Sequence, residues 1–398
     1  MVARVRLGVE RRPGACEPDV PRPAGCQRSG AYRRRVPGRR GTERIRGDVL
    51  RLVHRSVGVP QFARELGRIL RRAVPFDGTC LLTMDPATLL PTGDYVENGL
   101  PADSMVRLNE IELREPDFNK FTALAHAEKP AASLAEATDG ELDRSVRHRE
   151  LRRPDGFDDE LRVVLTGSTG TWGALTLLRE ARRPRFSPAD TRLMASLAAP
   201  LADGMRHAVL LAAATADDDT TATGLLVLAP DLGIETANRA ADHWLDELGA
   251  GDRTTTRLPV VVRSVAVRAR ELADGADASA GGARARVRTP AGRWAIVHGS
   301  LLGEGPDARV AVLLDAARPP EFAPLIADAY GLTTRERRIT ELVAQGLPTR
   351  EIGSRLHLSA YTVQDHLKSI FDKTGTGTRG ELVARLFFDH YAPRLADR

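Results

Sequence analysis

The spacing of apolar and polar positions first divides the chain into folded segments. From residue 48 to about residue 214, apolar positions at helical spacing alternate with short apolar runs that are typical of strands. The order is a helix, strands, an irregular middle, an antiparallel hairpin and a long helix, which predicts one α+β domain. We expect helices at residues 62–70 and 188–214 and strands at residues 79–84, 161–165 and 173–178.

A polar break at residues 216–221 separates this segment from a second one at residues 222–317. Two alternating runs flank the turn formers Pro230 and Asp231, and Asn238 is placed to cap the helix that follows. A further helical stretch and three more alternating runs predict a second α+β domain. The expected elements are strands at 224–229, 233–237, 283–288, 294–302 and 309–314 and a helix at 258–272.

Four short helices with clear end signals are expected within residues 328–395. Thr333 and Glu336 form a capping box for the first helix, and Gly346 stands where a left-handed residue would end it. After a two-turn helix and a short turn, Ser359 caps a third helix that reaches about residue 373. A short helix, a turn and a longer helix meet the requirements of a helix-turn-helix, whose longer helix lies in the major groove of DNA.

The third helix has one apolar and one polar face when its residues are projected at 100° per residue. The apolar stripe consists of Val363, Leu367 and Ile370, and the polar face of Tyr361, Asp365, Lys368 and Asp372, flanked by Gln364 and Ser369. Gln can pair with adenine, Lys with guanine and Asp with the amino group of cytosine, so this face can discriminate bases. An alternative is that Asp365 and Lys368 pair with each other on a solvated face.

The charge of the chain supports DNA binding less than its total suggests. The net charge is +5, but residues 1–46 hold 13 Arg against 4 acidic residues, so the rest of the chain is slightly acidic. Residues 1–45 are rich in Arg, Pro and Gly without periodicity and are expected to be a disordered basic extension. Two alternatives remain open: a start codon placed too early, or a basic arm that contacts phosphates through Arg33, Arg34, Arg35, Arg39 and Arg40.

Other functional classes find little support in the sequence. The 3 Cys cannot form a disulfide framework or a four-thiolate metal site, and no apolar run is long enough for a membrane span or a signal peptide. The chain has no phosphate-binding loop, no nucleophile elbow and no zinc motif. We therefore expect a cytoplasmic protein that is not an enzyme and carries no cofactor.

The C-terminal segment resembles the LuxR-type DNA-binding domain in a series of ordered motifs. The matching phrases are Leu332-Thr-x-Arg335-Glu336, Glu351-Ile352-x-x-x-Leu356-x-Leu358-Ser359, Thr362-Val363-x-x-His366 and Arg379-x-Glu381-Leu382-Val383. The resemblance implies that Gln364, Asp365 and Lys368 approach bases and that the fourth helix dimerises. Gln364 stands where the family usually has Lys, and Asp365 adds repulsion toward DNA, so the target preference stays open.

Two sets of candidate residues follow. The expected DNA-binding residues are Arg350, Ser359, Tyr361, Thr362, Gln364, Asp365, His366 and Lys368. The expected dimerisation residues are Leu386, Phe387, Phe388 and Tyr391. Arg350 and Thr362 are expected to contact phosphates. Arg379 is expected to be structural, and His366 either packs within the domain or contacts a phosphate.

The two preceding segments resemble ligand-sensing modules. The element order of residues 48–214 and the hairpin phrase Gly170-Thr-Trp-Gly-Ala-Leu-Thr-Leu are similar to a GAF domain, and residues 222–317 are similar to a PAS domain. The expected fold class is α+β multidomain, with GAF-like and PAS-like sensor domains followed by an all-α four-helix LuxR-type helix-turn-helix domain. Four residues could line a ligand pocket or could be ordinary core residues: Cys80, Tyr95, Phe121 and Trp172.

Together, these resemblances imply a sequence-specific transcription regulator that binds a pseudo-palindromic promoter site in double-stranded DNA as a homodimer. RNA polymerase and a small-molecule effector are the further expected partners. The alternative is a sigma-factor-like or protein-interaction module without independent DNA specificity.

Overall fold

The computed structural model describes residues 39–55, 57–101, 104–210, 222–249, 258–276, 282–317 and 330–388, with backbone alone for residues 39, 40, 210 and 385–388. We refer to residues 39–210 as the N-terminal sheet region, to residues 222–317 as the middle sheet region and to residues 330–388 as the helical region. Among the described residues, none of the helices combines the length and the apolar character needed to cross a bilayer.

The N-terminal sheet region holds a five-stranded antiparallel sheet in the order β2-β1-β5-β4-β3. Its strands are β1 (Gly78–Met84), β2 (Pro91–Glu97), β3 (Ala131–Ser133), β4 (Phe157–Gly167) and β5 (Gly170–Glu180). Its helices are α1 (Arg39–Val53), α2 (Val59–Leu70), α3 (Ser104–Leu113), α4 (Phe121–His126), α5 (Leu134–Ala137) and α6 (Pro188–Leu210). The expected hairpin is confirmed as β4 and β5, which turn at Gly170 with a φ of 112°.

Helices α1, α2 and α6 cover one face of this sheet. Alternate residues of β4 (Leu161, Val163 and Leu165) are fully buried against them. Helix α6 begins where Ser187 and Asp190 cap each other, since Ser187 Oγ accepts from Asp190 N at 3.2 Å and Asp190 Oδ2 accepts from Ser187 N at 2.9 Å. This reciprocal cap explains why the long final helix starts at Pro188, as the sequence predicted.

Helix α1 differs from the sequence expectation. The segment up to residue 45 was expected to be irregular, but the helix begins at Arg39, and Ile45, Val49 and Leu52 are buried in the core. These three residues recur at helical spacing and pack with α2 and α6, a pattern that the high Arg content of the segment obscured. Residues 1–38, which include most of the expected basic arm, lie outside the described residues.

The opposite face of the sheet carries the segment that was expected to be an irregular middle. The segment contains the helices α3, α4 and α5 together with β3, which joins the sheet as an edge strand, and it is held by buried ion pairs. Arg147 is fully buried and its guanidinium binds Asp117 at 3.0 Å and Glu160, while Arg162 binds Glu112 at 2.8 Å. Burial opposes the charge on Glu160, but the neighbouring Arg residues hold its pKa well below the usual range. These pairs join elements that no local pattern connects.

The middle sheet region forms a second five-stranded antiparallel sheet in the order β7-β6-β10-β9-β8. Its strands are β6 (Gly224–Leu228), β7 (Ile234–Ala237), β8 (Arg284–Arg288), β9 (Trp294–Leu302) and β10 (Arg309–Ala316), and its helices are α7 (Arg239–Glu247) and α8 (Val260–Ala273). Asn238 caps α7 as expected, because its Oδ1 accepts from Ala241 N at 2.8 Å. At Gly299 a Cβ would lie 2.9 Å from the Val265 carbonyl oxygen, so α8 packs directly on β9.

The two sheet regions share contacts across their boundary. Asp85 is almost fully buried, and its Oδ2 accepts from the backbone N of Arg286 at 2.8 Å and from Nε of the same residue at 3.0 Å. Trp294 and Ile296 belong to the hydrophobic cluster of the N-terminal sheet region. The identification of GAF-like and PAS-like domains stays a prediction. The domain boundaries, including those of the C-terminal domain at 328–395, also stay predictions.

Candidate nucleic-acid interface

The helical region consists of α9 (Thr334–Ala344), α10 (Thr349–Leu356), α11 (Ala360–Thr374) and α12 (Arg379–Phe388). These four helices lie where the end signals in the sequence predicted them. They share a small hydrophobic cluster of buried side chains: Leu332, Ile339, Leu342, Val343, Ile352, Val363, Leu367, Ile370 and Leu382. The region is therefore built around one compact core to which every helix contributes.

Helix α9 has the predicted cap at each end. Thr333 Oγ1 accepts from Glu336 N at 3.3 Å, and Glu336 Oε2 accepts from Thr333 N at 2.7 Å, which completes a capping box. At the other end Gly346 has a φ of 82°. Its N–H donates to the Val343 carbonyl at 2.9 Å, and Leu347 N donates to the Leu342 carbonyl at 3.1 Å, which is the Schellman arrangement.

The turn between α10 and α11 is tight. His357 takes a left-handed conformation with a φ of 53°, and Leu358 N donates to the Gly353 carbonyl at 2.8 Å. A Cβ at Gly353 would lie 2.7 Å from the Leu358 carbonyl oxygen, so only glycine fits without a shift. Ser359 Oγ then accepts from Thr362 N at 3.0 Å and caps α11. The turn thus sets the angle between the two helices of the helix-turn-helix.

Glu336 anchors α11 to α9, a role that the sequence did not reveal. Its Oε2 accepts from Lys373 Nζ at 2.6 Å, and its Oε1 accepts from Ser369 Oγ at 2.7 Å. Burial raises the pKa of Glu336, but the hydrogen bonds from Lys373, Ser369 and Thr333 outweigh it and lower the pKa to about 2. Ser369 was expected to flank the outer face of α11. It is instead half-buried against α9, because its hydroxyl is committed to this carboxylate.

The outward face of α11 carries polar side chains without internal partners. Gln364, Asp365 and Lys368 are exposed, and Tyr361 is 74% exposed. Within the described part of the chain, none of these four side chains makes a hydrogen bond or an ion pair, so the alternative pairing of Asp365 with Lys368 does not form. The opposite side chains, Val363, Leu367 and Ile370, are buried as predicted. The helix is therefore held by one face and leaves the other available.

The remaining residues expected at the interface differ in their exposure. Arg350 is exposed at the start of α10, and His366 is half-buried along α11. Thr362 is half-buried, and its hydroxyl lies 2.8 Å from Ser359 Oγ. Arg379 is structural, as expected, because its guanidinium donates to the Leu347 carbonyl and to Thr349 Oγ1, each at 2.8 Å.

The expected dimerisation residues are only partly within the structure. Helix α12 extends through Phe388, but the side chains of Leu386, Phe387 and Phe388, and the whole of Tyr391, lie outside the described residues.

At the start of α12, Glu381 N donates to Thr378 Oγ1 at 3.1 Å, whereas the Glu381 carboxylate accepts from Gly377 N at 2.7 Å. The Thr378 side chain thus caps the start of α12, while the Glu381 carboxylate binds the preceding backbone N–H.

The four residues considered for a ligand pocket do not converge. Tyr95 and Trp172 pack with the core beneath α1, α2 and α6, whereas Phe121 belongs to the cluster on the opposite face of the sheet. Cys80 is half-buried in the sheet opposite Thr176, and desolvation, together with nearby Asp94, raises the pKa of its thiol to about 12. These residues therefore lie on two faces of one sheet and do not form a single pocket.

Comparison with known proteins agrees with this geometry. Residues 331–386 match the family model of bacterial regulatory proteins of the luxR family. Over 56 residues the chain is 41% identical to the transcriptional regulatory protein UhpA of Escherichia coli, covering 14% of this chain and 29% of UhpA. Over 161 residues it is 29% identical to the nitrate/nitrite response regulator protein NarL of Escherichia coli, covering 39% of this chain and 72% of NarL.

A solved structure, that of Escherichia coli SdiA, aligns over 86% of this chain and 94% of SdiA at 11% identity, but the TM-score of 0.28 is too low to carry a structural conclusion. The chain covers less than a third of the length of UhpA and of several other curated regulators that it matches. Residues 331–386, which match the family model, lie within the helical region. This region is a DNA-binding helix-turn-helix domain, and it belongs to the luxR family of bacterial regulatory proteins.

Proposed function

We propose that this protein is a sequence-specific transcription regulator that inserts α11 into the major groove of DNA. The observation that carries the proposal is the free polar face of Tyr361, Gln364, Asp365 and Lys368 on a helix whose other face is anchored in the core. A reading helix needs both properties, because base contacts are specific only when the helix is held in one orientation.

The chemistry of the face suggests which contacts specify the sequence. The Gln364 amide can pair with adenine, the Lys368 ammonium can donate to guanine, and the Asp365 carboxylate can accept from cytosine. Arg350, exposed at the start of α10, and the capped start of α11 at Thr362 suit phosphate oxygens, which set register without reading sequence. Ser359 and His366 complete the proposed interface.

We further propose that the protein binds as a homodimer on a pseudo-palindromic promoter site, where it would act on RNA polymerase. The apolar sequence of the fourth helix, with Leu386, Phe387 and Phe388 followed by Tyr391, supports a surface that faces a second copy. A two-fold dimer would place two copies of α11 about one helical turn of DNA apart. A full-length protein that sediments as a monomer on its operator would contradict this part of the proposal.

The test is selection of an operator from random DNA by the full-length protein, followed by binding measurements at several salt concentrations. Lys368→Ala and Gln364→Ala should each cut discrimination against the wrong base by about 1–3 kcal/mol and leave the salt slope almost unchanged. Arg350→Ala should instead reduce the salt slope by about 0.9 per protomer and keep the sequence preference.

Arg338→Ala is the matched control, because Arg338 is exposed on α9 and is paired with Glu341 at 2.7 Å. Arg338→Ala removes one positive charge from the same region. It should change neither the discrimination between bases nor the salt slope beyond the measurement error. Wild-type binding by Lys368→Ala and Gln364→Ala would show that this face does not read DNA. Binding that requires RNA polymerase would favour a sigma-factor-like module.

A further inference from the structure

A cleft between the two sheet regions is not used by any contact described above. Its volume is about 810 Å³, which lies within the range of small-molecule sites. It is bordered by β2 and the end of α6 on one side and by β8 and the start of α8 on the other. Ligand sites occur preferentially at such boundaries between folded units.

The walls of this cleft are mainly apolar. Tyr95, Val96 and Met105 line it from the N-terminal sheet region, and Leu248 and Val260 line it from the middle sheet region. An occupant would therefore bury a hydrocarbon or aromatic body against both regions. A small polar molecule would leave this apolar surface without a partner.

Arg263 also lines the cleft and is a buried positive charge. It is only 6% exposed, its Nη1 donates to the Leu258 carbonyl at 2.6 Å, and its Nε has no hydrogen-bond partner. In the described part of the chain, no carboxylate lies within ion-pair distance of its guanidinium. Burial lowers the pKa of Arg263, and the charge of Asp94 opposes this effect without outweighing it. A buried guanidinium without an ionic partner is costly, which points to an anion that completes it.

Arg288 lines the same cleft and adds to its positive potential. Its Nε donates to the Gly292 carbonyl at 3.0 Å and its Nη1 to the Val209 carbonyl at 3.3 Å. Burial lowers its pKa to about 10, so it stays protonated at neutral pH. Among the described lining residues, Asp94 is the acidic one, and it is exposed at the rim.

We propose that this cleft binds a small organic carboxylate, with its carboxylate on the Arg263 guanidinium and its apolar body between the two sheet regions. The planar guanidinium fork matches a carboxylate in two parallel hydrogen bonds. This inference rests on the proposed function, because it names the chemical class of the effector that would control DNA binding.

The cleft also adjoins the end of α6, which contacts the first residues of the helical region. Ala208 and Val209, near the end of α6, line it. Arg206, less than one turn earlier, lies beside Gly331, where its Nη1 is 3.7 Å from the position of a Cβ. Tyr330 packs against the clusters of both the N-terminal sheet region and the helical region. A ligand that fixes the end of α6 would therefore bias the position of the DNA-binding helices.

The test uses the full-length protein without DNA and four probes: octanoate, decanoate, phenylacetate and indole-3-acetate, each compared with its primary amide by calorimetry. We expect at least one carboxylate to bind ten times more tightly than its amide, and Arg263→Met to abolish this preference. Arg309→Met should retain it, because Arg309 lies on the surface of β10 and pairs with Glu235 at 2.6 Å.

The unliganded protein gives a second readout that does not depend on the choice of probe. Arg263→Met should raise its thermal unfolding midpoint, because it removes a buried charge that lacks an ionic partner. The inference is overturned if no probe binds, if acids and amides bind equally, or if Arg263→Met lowers that midpoint.

Operator binding without any probe is measured separately and tests only the proposed function. A wild-type protein that binds a carboxylate but no DNA would refute the proposed function and leave the ligand site standing. A probe that binds yet leaves operator affinity unchanged would overturn the effector role assigned to the cleft.

Discussion

Replacing Glu336 by Gln should loosen the recognition helix without touching its outward face. In the wild type, the carboxylate accepts hydrogen bonds from Lys373, Ser369 and the backbone of Thr333. Its pKa falls from an ordinary 4.5 to about 2. Since a tenfold change in acidity corresponds to about 1.4 kcal/mol, this lowering corresponds to about 3 kcal/mol. Lys373 is partly exposed, so solvent screening reduces the expected loss to about 2 kcal/mol.

Hydrogen–deuterium exchange of the full-length protein measures this loss locally. Amides of α9 and α11 should exchange about 30 times faster in Glu336→Gln, because 2 kcal/mol is a factor of about 30 in the opening equilibrium. The control is Glu341→Gln, an exposed residue of the same helix whose partner is Arg338. Glu341→Gln should change the opening free energy by no more than about half a kcal/mol. Equal acceleration in the two variants would refute the anchoring role of Glu336.

The pH dependence has a definite sign. A lowered pKa means that Glu336 contributes its stability above the pKa of the unfolded chain, near 4.5, and loses it as the pH falls toward about 2. The difference in opening free energy between wild type and Glu336→Gln should therefore shrink over this window. A difference that stays constant would show that ionisation of Glu336 is not its source.

Two further predictions concern the backbone and the contact between the sheet regions. His357→Gly should stabilise the helical region by about 0.5–1 kcal/mol, because His357 holds a left-handed φ of 53° that glycine adopts without strain; a destabilised variant in the same exchange assay would contradict this. Asp85→Asn should lower the free energy of local unfolding by about 2–3 kcal/mol, because it removes the carboxylate that binds the half-buried Arg286. Hydrogen exchange should therefore become faster in β8 as well as near residue 85. Glu235→Gln, which breaks only the exposed pair with Arg309, should leave β8 unchanged, and faster exchange confined to residue 85 would count against the cross-region contact.

The helical region was predictable because its signals are local. The capping box of Thr333 and Glu336, the left-handed Gly346 and the Ser359 cap each lie within a few residues of the helix end that they mark. The apolar stripe of α11 likewise follows from periodicity alone. These features place the inward and outward faces of the helix before any tertiary contact is known.

Contacts between distant residues were not predictable in this way. Glu336 is 37 residues from Lys373, and Asp85 is 201 residues from Arg286, so no periodicity relates the partners. Ser369 and Lys373 share one face of α11 at a spacing of four residues, which was the available hint of a common partner. The sheet orders also depend on long-range pairing. That is why Tyr95 and Trp172 could not be separated from Phe121 by sequence alone.

The most direct test of the central claim is dimethyl sulfate protection of a selected operator by the full-length protein. Guanine N7 lies in the major groove and adenine N3 in the minor groove, so the reagent reports which groove is occupied. We predict protected guanine N7 atoms in two half-sites about 10 bp apart, and loss of that protection at defined positions in Lys368→Ala but not in Arg338→Ala. Protection confined to adenine N3, or an unchanged pattern in Lys368→Ala, would contradict the assignment of α11 as the helix that reads DNA.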